Sequence, residues 1–472
     1  MLLPIIFQPN TPLDVCEGFV WGNEWPIGTY KHPPLQAWLL QITYYLFGSS
    51  PIGFYGLSAL SSGITLWVIY RTGVLLVSPL HGLLAAALAQ NIVYFNFLST
   101  EFNPNVLQML WGAITSYLFA IALLRQHLIY WILLGISFSA GFYSKYSTLI
   151  QAIAFLLFLI VQSKARKNLM KSGPYLTLFI CVMLYIPHIF WLIQNHFLPQ
   201  KYIKERLGAV LTFKESLYYL LRFWGVQLLD SFFALLSACL LLYPFQRTRC
   251  HSQLDEFYKK TIVQWLAYGP IILLSIFSLA SAHKLNDMYG MPYLTFIPLA
   301  LLSYFKLRAH RVKIFVFVWM AIFIFQIAFY IGLDLLNSKY NNFGPHRTDF
   351  PGPELAKKID AFWHSKTKAP LQYIIGNTWI AGNAAFYSME SKRPHVWING
   401  RKEESLWINP LEVKKYGAML IWIQDDRNVY AIPKTLANKF PEAQLGDKLT
   451  LSWRKHSRKL ISIGVAYLPP AS

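Results

Sequence analysis

Four of the eleven acidic side chains in the first 336 residues come early in the sequence: Asp14, Glu17, Glu24 and Glu101. A carboxylate near a hydroxyl group can accept its proton or orient it. Lys145 is a single cation between two apolar stretches, and a lone charge at membrane depth normally has a partner. The phosphate of a lipid would be a suitable partner. Acid–base chemistry and phosphate binding are therefore the two kinds of chemistry that these residues could perform.

Two further groups of basic side chains lie near predicted membrane spans: Lys31 with His32, and Lys201 with Lys204 and Arg206. The first pair could contact phosphate, or it could be a pair of interfacial side chains that reach toward water. The second group lies on the side of the membrane where the orientation rule disfavours basic residues. An anionic ligand would explain it, and a solvated loop surface is the alternative.

The segments that must position these residues are apolar and long enough to cross a bilayer, at about 20 residues each. Residues 35–47 are apolar and aromatic but short, which is typical of a helix that lies along the membrane interface. The sequence therefore predicts an α-helical polytopic membrane protein with about ten to eleven transmembrane helices. The predicted spans are 52–76, 80–99, 106–124, 128–143, 147–163, 174–194, 217–244, 261–281, 289–305 and 314–336.

Basic residues in the connectors between alternate pairs of spans predict the orientation of the protein. By the positive-inside rule these connectors are cytoplasmic, so residues 8–34 and the C-terminal part face the outer side of the cytoplasmic (inner) membrane. The net charge of +20 has the same origin, and no nucleic-acid partner is predicted. Residues 1–7 are too short to span a membrane. We expect either a first transmembrane helix upstream of Met1 or a segment that only touches the interface.

The last part of the chain has a different composition. Residues 337–472 carry 31 charged side chains, an ordinary density for a soluble domain, whereas residues 1–336 carry 33. Strands are predicted at 371–375, 418–422 and 459–466, with helices at 377–389 and from 350 onward. The chain is therefore predicted to consist of a transmembrane domain, 1–336, and a C-terminal soluble α/β domain, 337–472.

Five short motifs, in this order, resemble a known family: LDVCE, YKHPPLQAW, STEFNPNVLQMLW, SKYS and HKLNDMYGMP. They are similar to motifs of polyprenyl-phosphate-sugar-dependent glycosyltransferases of the GT-C class, the relatives of protein O-mannosyltransferases and of the enzyme that adds aminoarabinose to lipid A. The resemblance implies transfer of a sugar, with inversion, from a polyprenyl-phosphate donor on the outer side of the membrane. The acceptor would be lipid A, another glycolipid or a protein hydroxyl. Membrane lipids are the other expected partners.

The resemblance also implies roles for particular residues. Asp14 occupies the place of the family's catalytic acid and Glu17 lies three residues later, although Asp-x-x-Glu is also the pattern of a helix-capping box. The remaining implied contacts are to the donor phosphate and the sugar. Phosphate binding is implied for Lys31, His32, Lys145, Arg206, Lys284 and Tyr289, and a second acid or sugar contact for Glu101 or Asn103.

Some of these residues have structural alternatives, and other functions remain open. Asn103 could simply cap the helix that begins at Pro104, and Tyr289 could belong to an aromatic belt. Lys31 stands where lipid A relatives carry an acid, so metal dependence is undecided and a divalent metal ion stays an open cofactor. The alternative functions are a polytopic lipid or solute transporter (a flippase), which would favour a site at the bilayer midplane, and a non-catalytic membrane scaffold.

Overall fold

The structure is a computed structural model, and it describes residues 2–208, 210–247, 254–340, 345–425 and 427–471. Most of these residues are helical. The α-helices are α1 Leu2–Phe7, α2 Leu13–Gly22, α3 Leu35–Phe47, α4 Pro51–Leu76, α5 Pro79–Gln90, α6 Pro104–Arg125, α7 Leu128–Ser144, α8 Thr148–Val161, α9 Ser163–Arg166, α10 Ser172–Gln194, α11 Leu198–Leu207, α12 Phe213–Asp230, α13 Phe232–Leu242, α14 Leu254–Ser281, α15 Ile297–Leu302, α16 Ala309–Tyr340, α17 Gly352–Lys366, α18 Thr378–Tyr387, α19 Pro410–Tyr416 and α20 Lys434–Ala437. Short 3₁₀ helices cover Val93–Phe95, Lys167–Met170, Asp287–Gly290 and Arg347–Asp349.

The chain folds into two compact units. The first unit contains residues 1–30, 36–57 and 329–472, and the second contains residues 31–35 and 58–328. The N-terminal residues therefore belong to the same unit as the C-terminal sheet. The assignment of residues 1–336 and 337–472 to a transmembrane and a soluble domain stays a prediction.

Helices of the second unit provide most of the membrane-spanning length. Five described helices are long and apolar enough to cross a bilayer: α4, α6, α10, α14 and α16, the last over Ala309–Asn337. Helix α6 is largely buried among its neighbours, whereas α10 and α16 expose most of their apolar side chains, as helices in contact with lipid do. The chain is thus a multi-pass membrane protein.

The described helices do not reach the predicted count of ten to eleven full-length spans, because several apolar stretches are interrupted. Counting each sharply bent helix pair as one span, α8 with the following Ser163–Met170 and α12 with α13, brings the number to seven. The stretch 289–305 is the clearest difference, since its only α-helix is the short α15. Pro292 and Pro298 explain this, because proline cannot donate the hydrogen bond that a helix interior needs.

In the first unit, a six-stranded sheet forms the centre of the C-terminal part. Its strands are β1 Tyr373–Gly376, β2 His395–Ile398, β3 Ala418–Ile423, β4 Gln444–Leu445, β5 Leu449–Trp453 and β6 His456–Leu468. The strand order is β2-β1-β3-β6-β4, with β5 also paired to β6. Strands β1, β2 and β3 are parallel, and β6 is antiparallel to β3. The predicted α/β character of this part is confirmed.

The core of this sheet also includes residues from the N-terminal end of the chain. Val20 and Trp21 of α2 and Ala37 of α3 are buried in one cluster with Ile380 and Ala384 of α18. Helix α2 packs directly on α18. A short helix such as α2 gains most of its stability from such packing rather than from its own propensity, so the sheet domain holds the N-terminal helix in place.

Candidate functional site

Lys145 is placed by two helix ends in the second unit. It follows α7 in an extended conformation, and its Nζ donates a hydrogen bond to Oδ1 of Asn105, 2.5 Å away. Asn105 lies in the first turn of α6, which begins at Pro104 and is capped by Asn103. The Asn103 side chain accepts hydrogen bonds from the backbone N–H groups of Asn105 and Val106. The partner of Lys145 is therefore held rigidly at a helix N-terminus.

The ring of Tyr289 lies beside the same lysine, with 4.5 Å between Lys145 Nζ and the ring centroid. A lysine at this distance from an aromatic face is attracted by the negative charge of the ring. The 3₁₀ turn that carries Tyr289 is held from α12, where Arg222 makes two hydrogen bonds of 3.2 Å to the Asp287 carboxylate. Gln227 donates to the Asp287 carbonyl, and a Cβ at Gly290 would collide with its side chain. The turn is thus fixed on both sides.

Tyr202 of α11 connects the other basic residues of this region. Lys31 Nζ lies 5.7 Å from the centroid of its ring, and the ring of His32 meets it edge-on at 6.4 Å. Its hydroxyl accepts a hydrogen bond of 3.2 Å from Arg206, one helical turn later. A tyrosine can therefore hold three basic side chains around one point.

These side chains form one group, which we call the cationic cluster: Lys31, His32, Lys145, Tyr202, Arg206 and Tyr289. Burial and the positive charges of Lys31, Lys145 and Arg206 hold the pKa of His32 well below its ordinary value, so the three cations lie close enough to act on the imidazole. Burial also raises the pKa of Tyr289, and the Arg206 charge opposes this. A concentration of positive charge with no acid among its members is suited to bind an anion.

Five of the six residues predicted to bind phosphate thus come together. The sixth, Lys284, is exposed, and no contact found in the described ranges joins it to the cationic cluster. Asn103 has the capping position that was its structural alternative, and Glu101 lies half-buried just before it, with its backbone carbonyl accepting from the Asn103 amide. A role for Lys284, Glu101 or Asn103 in the site stays a prediction.

Asp14 and Glu17 both lie on α2 in the first unit. The capping-box alternative is wrong, because the N-cap of α2 is Pro12 and no side chain caps that helix end. Asp14 is half-buried in the first turn, and its backbone carbonyl accepts a 3.0 Å hydrogen bond from the Gln36 side chain. Glu17 is buried, with 7% exposure. The two carboxylates are one helical turn apart, as their spacing predicts.

Two members of the site were not predicted from sequence. Tyr202 is one of 28 tyrosines, and only its i, i+4 spacing from Arg206 could have singled it out. Asn105 follows Pro104 by one residue, so its place in a first helical turn was available from the motif. Among the described residues, no group of three or more histidine, cysteine or acidic side chains is arranged to hold a metal ion.

Comparisons with known proteins agree with this geometry. Residues 31–191 match the family model of dolichyl-phosphate-mannose-protein mannosyltransferase. The fold is similar to that of ArnT from Cupriavidus metallidurans bound to undecaprenyl phosphate, with a TM-score of 0.61 and 11% identity over 97% of this chain and 94% of that one. The apo state of the same protein gives 0.60 and 10% identity over 98% and 96%.

No curated protein sequence matches the chain. The matched segment of the family model holds Lys31, His32 and Lys145 of the cationic cluster together with the α6 N-terminus that carries Asn105. The predicted resemblance is confirmed: the chain is related to the protein O-mannosyltransferases and to ArnT, whose GT-C fold it shares.

Proposed function

We propose that the chain is a membrane glycosyltransferase that moves a sugar from a polyprenyl-phosphate donor to a hydroxyl group of a lipid or protein acceptor. The observation that carries this proposal is the cationic cluster, which gathers Lys31, Lys145 and Arg206 around two tyrosines. The family match over residues 31–191 and the ArnT-like fold support it. The reaction would take place on the outer side of the cytoplasmic membrane.

The cations would bind the donor phosphate and stabilise it as it leaves. Lys145 already directs its ammonium toward an oxygen atom, that of Asn105, and a phosphate oxygen would be a stronger acceptor. Preorganised positive charge at the point where negative charge develops lowers the barrier, because no reorganisation is needed during the reaction. Neutral His32 would donate one hydrogen bond without adding to the crowded positive charge.

Asp14 would act as the general base. The oxygen of the acceptor hydroxyl attacks the anomeric carbon and forms the new glycosidic bond, and its proton passes to the Asp14 carboxylate. The bond between the anomeric carbon and the phosphate oxygen breaks, and polyprenyl phosphate leaves with the electron pair. Attack from the face opposite the leaving group inverts the configuration. Glu17, buried on the same helix, would keep Asp14 oriented rather than touch the acceptor.

The decisive test measures transfer from a panel of radiolabelled polyprenyl-phosphate sugars by the full chain in liposomes that contain glycolipid and peptide acceptors. Asp14→Asn is expected to abolish transfer, whereas Asp447→Asn, at an exposed aspartate of the C-terminal part, is expected to leave it unchanged. Both variants must retain the melting temperature of the parent protein.

Unchanged transfer by Asp14→Asn would reject its role as the base. If the parent protein moves polyprenyl phosphate across the liposome membrane and transfers no sugar from any donor, the transporter alternative is correct and the proposal fails. Mass spectrometry of glycolipids and glycoproteins from a deletion strain would then identify the acceptor of an active enzyme.

A further inference from the structure

A second basic site lies in the second unit, away from the cationic cluster. A cavity of about 670 Å³ opens between the C-terminal ends of α4 and α6 and the N-terminal end of α14. Its polar wall carries four basic side chains and one acid: Arg71, Arg125, Lys164, Lys259 and Asp255. We call this cavity the basic pocket.

The charges in the basic pocket are not balanced. Lys164 forms an ion pair of 2.5 Å with Asp255 and lies 4.8 Å from the centroid of the Tyr258 ring. Arg71, Arg125 and Lys259 form no ion pair with any residue that the structure describes. Like charges that converge on a cavity repel one another, and an anion in the cavity would relieve that repulsion.

The basic pocket lies at the opposite end of the helices from the cationic cluster. Helix α6 contributes Asn105 to the cluster and Arg125 to the pocket. The twenty residues between them span roughly 30 Å at 1.5 Å per residue, which is the thickness of the hydrocarbon core of a bilayer. The two sites therefore face opposite surfaces of the membrane, and one lipid phosphate cannot occupy both.

We propose that the basic pocket is a second phosphate-binding site, which takes the headgroup phosphate of an anionic membrane lipid. Its wall is divided as such a ligand requires. The basic side chains occupy the helix ends, and Val74, Leu75, Ile121 and Leu124 line the part that continues along α4 and α6. A phosphate held by the arginines would leave its acyl chains against this apolar surface. A soluble phosphate would make no use of it.

The same basic residues were predicted only to orient the protein by the positive-inside rule. Orientation requires positive charge near the membrane surface, but it requires neither a cavity nor convergence of the charges from three helices. The two roles are therefore separable, because an orienting residue can be replaced one at a time without affecting the binding of a particular lipid.

Titration of the purified full chain in detergent with fluorescent phosphatidylglycerol tests the proposal. The double variant Arg71→Gln/Arg125→Gln is expected to bind it about 25-fold more weakly, at about fivefold for each charge removed. Asp255→Asn is expected to bind it more tightly, because that change releases Lys164 for the ligand. Phosphatidylcholine, which is zwitterionic, is expected to bind weakly to all variants.

Three controls make the result specific. Lys171→Gln removes an exposed charge that contacts Gln126 and does not line the pocket, so its affinity should match that of the parent. In a Lys145→Gln background the double variant should still lose affinity, since the pocket and the cationic cluster are separate. This outcome does not depend on sugar transfer, so it stands or falls apart from the proposed function.

Equal affinity of the double variant and the parent, with both folded, would overturn the proposal. Full competition by inorganic phosphate at concentrations that do not displace the lipid from the Lys171→Gln/Arg71→Gln/Arg125→Gln protein would assign the pocket to a soluble phosphate and overturn the lipid assignment. Tighter binding by Asp255→Asn combined with weaker binding by the double variant is the pattern that supports it.

Discussion

Lys145 Nζ lies 4.5 Å from the centroid of the Tyr289 ring, although the two residues come from a helix end and a 3₁₀ turn that are distant in the sequence. The same ammonium donates to Asn105. A lysine held by one amide oxygen and one aromatic face keeps a fixed position and still has donors for a ligand, because an ammonium group carries three.

Replacing this lysine is expected to weaken the binding of the leaving group. Lys145→Gln should raise the dissociation constant for undecaprenyl phosphate by roughly 10- to 150-fold, the value of a charge-assisted hydrogen bond of about 1.5–3 kcal/mol. Isothermal titration in detergent measures it, with exposed Lys171→Gln as the matched control. Equal affinities for Lys145→Gln and the control would show that Lys145 does not contact the phosphate.

The tyrosine ring and its hydroxyl can be separated by two substitutions. Tyr289→Phe keeps the aromatic face and should change the affinity for undecaprenyl phosphate little, whereas Tyr289→Leu should lose about 0.5–2 kcal/mol. The reason is that the ring face, not the hydroxyl, positions Lys145. If Tyr289→Phe weakens binding as much as Tyr289→Leu, the hydroxyl itself is the ligand contact.

Binding of an anion to the cationic cluster should also depend on pH through His32. In the unliganded protein the pKa of His32 lies well below its ordinary value, because of burial and three neighbouring cations. A bound phosphate neutralises those cations and raises the pKa again. The complex then holds more protons than the free protein between the two pKa values, so the His32 contribution to affinity increases as the pH falls through this interval and is constant below it.

The measurement compares undecaprenyl phosphate affinity from pH 5 to 8 in the parent and in His32→Asn. The phosphate titrates near pH 6 itself and acts on both proteins alike, so the difference between the two curves isolates the histidine. Parallel curves would show that His32 takes up no proton on binding.

Much of the cationic cluster was predictable because charged residues are expensive in an apolar environment. That cost made Lys145, Lys31 and Arg206 stand out from a sequence with only 14% charged residues. Tyr202 did not stand out, because aromatic residues form 17% of the chain and suit any membrane interface. Lys284 matched a motif by order, but a motif does not determine whether a side chain points toward or away from a site.

The fold was predictable where periodicity is local. The three strands predicted from apolar runs are present as β1, β3 and β6, whereas β2 and β4, with four and two residues, carry too little pattern. The packing of α2 on α18 was not predictable, because it joins segments more than 350 residues apart and α2 itself resembles an ordinary apolar helix.

One ion pair between these distant segments should make stability depend on pH. Glu24 accepts a 2.7 Å hydrogen bond from His395, which raises the pKa of His395 above its ordinary value, while burial opposes the shift. A raised folded-state pKa stabilises the protein below the unfolded pKa, and this stabilisation is lost as the pH rises through the folded value.

We therefore expect the melting temperature to fall between pH 6 and 8 more steeply in the parent than in Glu24→Gln. The effect is less than about 1 kcal/mol, because the histidine is partly exposed to solvent. Exposed Glu403→Gln is the control. A pH dependence that is the same in Glu24→Gln and in the parent would mean that His395 remains neutral.

The contact between α2 and α18 offers a way to perturb the proposed base from a distance. A Cβ at Gly382 would lie 2.6 Å from Cys16 Sγ and 2.9 Å from a Val20 methyl group, closer than atoms can pack. Gly382→Val must therefore push α2 away from α18, and overpacking of this kind costs about 1–3 kcal/mol. Because α2 carries Asp14, the variant should lower both the melting temperature and the rate of sugar transfer.

Gly332→Val is the matched control, since no atom lies within 4 Å of the position where its Cβ would be. Undecaprenyl phosphate affinity separates the two effects. Gly382 lies in the first unit, whereas the cationic cluster lies in the second, so Gly382→Val should bind the lipid phosphate as the parent does. A loss of stability with an unchanged transfer rate would show that the position of α2 does not matter to the reaction, and that Asp14 is not its base.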